Sequence, residues 1–60
     1  TLVGAEGVAT TPIDPTGTVQ VRSELWTAVA DAPIPAGTPV RVVAVEGIRV
    51  RVVPVEETNQ

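Results

Sequence analysis

The chain has 60 residues, 43% of them hydrophobic, with a formal net charge of −3 and neither cysteine nor histidine. A domain of this size buries only about 60% of the surface its unfolded chain exposes, so its core is marginal, and no disulfide or Cys/His metal centre can reinforce it. Four arginines against seven acids, no lysine and a single aromatic residue, Trp26, argue against nucleic-acid binding, which needs a basic face and, for single strands, stacking platforms.

Leu2 to Ala9 holds Val3 and Val8 around Gly4 and Gly7. It reads as a first strand, bent or closely approached at its glycines. Thr11 to Gly17 carries two prolines, an aspartate and a glycine, the chemistry of a loop. Thr18 to Arg22 alternates cleanly, with Val19 and Val21 inward, and after the short Arg22-Ser23 connection Glu24 to Ala30 gives a third apolar run. Asp31 to Pro39 contains three prolines and a glycine, which excludes a helix of useful length by missing donors and ring clashes.

Pro39 to Pro54 carries two valine-and-arginine runs joined at Glu46-Gly47. Valine is stiff at χ1 and suits a pleated surface, so the segment predicts a β-hairpin. In its second run Ile48, Val50 and Val52 alternate with Arg49 and Arg51, the period of a strand with one buried face. In its first run Val42, Val43 and Val45 cannot all point inward from an ideal strand. Either both faces are covered or a bulge lies near Val43.

Five short strands and no helix predict an all-β fold, a small barrel whose closure hides the strand edges. The expected domain is residues 1–55, followed by a polar, frayed tail at 56–60. With no apolar run near the roughly 18 residues of a membrane helix, no transmembrane span is expected within these residues. A start at Thr1 without a signal peptide reads as a piece of a longer polypeptide.

Chemistry is sparse. Without histidine, cysteine or lysine no nucleophile finds a base partner, and Ser23, the sole serine, sits in a hairpin turn. The carboxylates flank strands or lie in proline-rich loops, which suits solvated surface better than a catalytic pair. Gly4-Ala5-Glu6-Gly7 lacks phosphate-loop spacing and no helix follows it. Glu56-Glu57 suit solubility better than coordination. An enzyme is not expected, nor a metal or cofactor.

Four residues are candidate partner contacts. Trp26 is either a core residue on strand three or an anchor for a partner. Arg49 and Arg51 share a face of the last strand, with Arg41 on strand four as a candidate neighbour. They form a solvated, aggregation-blocking face near glutamates or a basic stripe for an acidic partner.

Several words in the chain carry a family resemblance: Leu2-Val3-Gly4-Ala5-Glu6-Gly7, Pro15-Thr16-Gly17-Thr18-Val19, Glu24-Leu25-Trp26-Thr27-Ala28, Ile34-Pro35-Ala36-Gly37-Thr38-Pro39-Val40-Arg41-Val42-Val43 and Val45-Glu46-Gly47-Ile48. In this order they resemble the soluble C-terminal domain of the NfeD family. The family often has Asp-Gly where this chain has Arg22-Ser23, which argues against a simple type I′ turn there, and often lysine at Ala36.

The resemblance implies an OB-fold-like five-stranded barrel attached to transmembrane helices outside this chain; the cytoplasmic side is the expected location, though no residue of the chain decides it. It further implies a stomatin- or flotillin-like (SPFH) partner in membrane protein quality control or regulation of membrane protease activity. Any protease activity would reside in a separate upstream domain. Self-association is left open. The functional alternative is an oligonucleotide-binding OB domain, and the structural one is an SH3-like barrel, since the loop from Asp31 to Pro39 cannot hold the helix that an OB fold commonly places there. Pairing of the first strand with the fourth would decide for the OB arrangement.

Overall fold

In a computed structural model of the chain, which describes residues 1–55, the valine-rich runs form five strands. They are β1 (Glu6–Ala9), β2 (Thr16–Val21), β3 (Glu24–Val29), β4 (Pro39–Glu46) and β5 (Arg49–Pro54). The stretch 56–60, expected as a frayed tail, lies outside the described residues.

The strands close into a barrel in the order β1-β2-β3-β5-β4. β1 pairs antiparallel with β4 through Glu6 and Arg41, Gly7 and Val40, and Val8 and Pro39. That pairing gives the OB arrangement and sets aside the SH3-like alternative. β3 and β5 run parallel through Thr27 and Arg49, Ala28 and Val50, and Val29 and Arg51.

Alternation fills the interior. Val19 and Val21 of β2, Val40 and Val42 of β4, and Val50 and Val52 of β5 are each 1% exposed or less, and among the described residues no polar or charged residue joins them in the core. One end of the barrel is sealed by its two proline-rich loops, whose Ile13 and Ile34 exchange backbone hydrogen bonds of 2.9 and 3.0 Å. The Asp31–Pro39 connection thus does without a helix.

Three local expectations are revised. β1 starts at Glu6, not Leu2, because the chain turns at Gly4 (φ 92°); Gly4 still donates to the Val42 carbonyl at 2.8 Å. Gly7 is closely approached, as expected: a Cβ there would collide with the Gln20 carbonyl of β2.

Val42 pairs with Val52 and Ala44 with Arg51, leaving Val43 as the extra residue of a bulge. Of the two ways to accommodate the crowded valines, the chain uses the bulge, and Val43 and Val45 emerge exposed. Ile48 does not point inward. Glu46 pairs directly with Arg49, so Gly47 and Ile48 are the whole turn, with a positive φ of 65° at Gly47 alone, the pattern of type II′.

The other hairpin is also corrected. Val21 pairs with Glu24, and both intervening residues are left-handed, Arg22 at φ 54° and Ser23 at φ 69°. This is the type I′ pattern after all, made without glycine or asparagine.

Candidate functional site

The barrel offers surface rather than cleft. No pocket is found, and no group of three or more acidic residues could hold a metal ion among the described residues. No helix among them is long and apolar enough to cross a membrane. What chemistry remains lies in how exposed side chains are arranged.

Two of the candidate arginines are occupied. Arg41 lies opposite Glu6 across the β1–β4 pairing, and its Nη2 donates to Glu6 Oε2 at 2.8 Å. Arg51 holds two carboxylates, Asp31 at 2.7 Å through Nη1 and Glu46 at 2.9 Å through Nε. The Arg51 hydrogen bond, with the charges of Arg51 and Arg49 in support, holds the Glu46 carboxyl below its ordinary range against weaker desolvation. Glu46 in turn raises the pKa of Arg51. Exposed pairs of this kind add little to stability, but they engage both arginines with carboxylates of the barrel itself.

Arg49 differs. It faces Glu46 in the strand register, yet makes no ion pair within 4 Å among the described residues. The same holds for Arg22, in the β2–β3 turn. Of the three arginines named from the sequence, Arg41 and Arg51 thus carry carboxylate partners and Arg49 carries none among the described residues.

Trp26 lies opposite Val19, whose side chain is fully buried, so both face inward. It is half-buried and packs against the valine core. Its indole Nε1 is buried without an acceptor among the described residues. A stranded donor of this kind is costly.

Two further apolar residues that sequence reasoning did not single out are exposed. Leu25 is 66% exposed and Ile48 87% exposed. The signal for Ile48 was present: a glycine at the first position of a two-residue hairpin loop places the next residue in the turn rather than in the strand. For Leu25 the signal was the inward assignment of Val19 and Val21, because the strand register hands inwardness to Trp26 and leaves its neighbour outside.

Comparison with known proteins gives a consistent picture. The chain matches the family model of the NfeD-like C-terminal, partner-binding domain over residues 1–54. It is similar to the solved C-terminal domain of stomatin operon partner protein 1510-C from Pyrococcus horikoshii, with a TM-score of 0.89 and 33% identity. The likeness covers 93% of this chain and 91% of that one. No curated protein matches it.

Proposed function

Since this chain belongs to the family of NfeD-like C-terminal, partner-binding domains, we propose that it is a non-catalytic docking module whose partner is a stomatin- or flotillin-like (SPFH) membrane protein. The observation that carries this reading is the likeness over nearly the whole of both chains to a domain of a stomatin operon partner. The biological setting that follows is membrane protein quality control or regulation of a membrane protease. In it the barrel sits on the cytoplasmic side, tethered by transmembrane helices elsewhere in the polypeptide.

The surface fits such a role. A module with no pocket among its described residues and no histidine, cysteine or lysine can act by holding another protein in place. With Arg41 and Arg51 engaged by carboxylates, the positive surface that an oligonucleotide would need is weaker still. Trp26 and Arg49 remain as candidate contacts, whereas Arg41 and Arg51 serve the barrel's own ion pairs.

The test is co-purification of the full-length protein with the stomatin-like protein of the same organism from detergent-solubilised membranes. Co-elution that is lost when residues 1–60 are deleted is expected. Retention of the partner by the deleted form would overturn the reading. The isolated chain is expected to show no turnover of peptide substrates.

A further inference from the structure

We propose that the partner docks on the barrel end carrying the Arg22–Ser23 and Gly47–Ile48 turns, and that this end takes an apolar protein segment bearing acidic side chains. The proposal rests on the partner-binding reading above and adds to it a place and a chemistry.

The two ends of the barrel are unlike. At one, Ile13 and Ile34 are 0% and 2% exposed and complete the core. At the other, the topology gathers the end of β2, the start of β3, the end of β4 and the start of β5. There Ile48, Leu25 and Val45 are exposed, while the half-buried Trp26, next to Leu25 on β3, packs against the core. The parallel pairing begins at Thr27 and Arg49, which sets the turn residue Ile48 next to the first half of β3.

A turn tip is ordinarily polar, and the second position of a type II′ turn accepts polar residues readily. An isoleucine exposed there contributes nothing to the core that the barrel itself could use. Aromatic and aliphatic side chains grouped on a protein surface and rimmed by arginine are the anatomy of an interaction hot spot.

Charge selects the occupant. Arg22 and Arg49 are the two arginines without an ion pair among the described residues, and both rim this end. Among the described residues Glu24 is the carboxylate there outside an ion pair, since Glu46 is held by Arg51, so Arg22 and Arg49 are left free to meet acidic groups although the whole chain is acidic. An anionic bilayer would meet Glu24 and Glu46 along with the arginines, and only a few apolar side chains project to insert into it. A folded partner can set acidic groups against Arg22 and Arg49 individually while covering Ile48 and Leu25.

The experiment titrates the isotope-labelled 60-residue chain with the soluble region of the stomatin-like protein of the same organism, followed by amide chemical shifts. Shifts confined to residues 22–26 and 45–49 are expected. Ile48→Asp, at a position too exposed to disturb the fold, should weaken binding by about tenfold or more. Arg22→Glu and Arg49→Glu should weaken it and flatten its salt dependence. Ala36→Glu, in the loop at the opposite end, should change nothing. Undiminished binding by Ile48→Asp would overturn the surface and leave the partner reading standing, whereas absence of binding by the unaltered chain would overturn both. A parallel titration with phosphatidylglycerol vesicles that shifted Ile48 would replace the protein partner with a lipid surface.

Discussion

Arg22 and Ser23 show how a single pair of side chains can oppose the backbone they occupy. Both sit at positive φ, where a Cβ crowds the following carbonyl at a cost of roughly 1 to 2 kcal/mol per residue. The turn forms because six consecutive register pairs between β2 and β3, from Thr16 with Val29 to Val21 with Glu24, demand a two-residue reversal. Tertiary pairing overrides turn propensity. Ser23→Gly relieves the clash and gives back part of that gain as unfolded-state entropy, so a stabilisation of about 1 kcal/mol is expected. In a thermal melt this corresponds to a midpoint higher by about 4 to 8 °C. An unchanged or lower midpoint would mean that the left-handed pair carries no strain.

At the scale of elements, the β4–β5 hairpin couples geometry to charge. Glu46 closes the turn opposite Arg49 and accepts from Arg51 two residues further on. Its carboxyl is held below the ordinary range chiefly by that hydrogen bond. A carboxyl whose folded pKa is depressed contributes stability above its unfolded pKa and loses it as pH falls through the folded value. Melting the chain and its Glu46→Gln variant between about pH 7 and about pH 3 should therefore show the unaltered chain ahead at neutral pH and the gap closing on acidification. A gap independent of pH would assign the difference to something other than ionisation.

The two hairpins mark where the sequence was legible. Alternation in Thr18–Arg22 and in Val50–Val52 located inward faces correctly, because a period of two needs only local information. The bulge at Val43 could be narrowed to two alternatives, since crowding is local but its resolution depends on the partner strand. Ile48 was misplaced because its valine neighbours suggested a longer strand, while the pairing of Glu46 with Arg49 is a property of two strands together. The candidate arginines were nameable one by one, yet their carboxylate partners are 35, 20 and 5 residues away along the chain. Which of them stay unpaired is written only in the fold.

For the whole molecule, the question is how a barrel built from valine, alanine and isoleucine stays closed. A core of this length rarely supplies more than about 3 to 5 kcal/mol, so each buried methyl group is a sizeable share. Closure depends on the parallel β3–β5 seam, where Val50, fully buried, lies opposite the equally buried Ala28. Val50→Ala removes carbon that a small neighbour cannot replace, at a cost of about 2 kcal/mol from lost transfer and the residual cavity. At 4 to 8 °C per kcal/mol, that is a midpoint lower by roughly 8 to 16 °C. Val53→Ala, on the outer face of the same strand at 40% exposure, should change stability by no more than about 0.5 kcal/mol. Urea titration of the pair separates burial at the seam from strand propensity, which both substitutions lower alike. Equal losses would place the stability of the barrel in its strands one at a time, and the expected asymmetry places it in their closure.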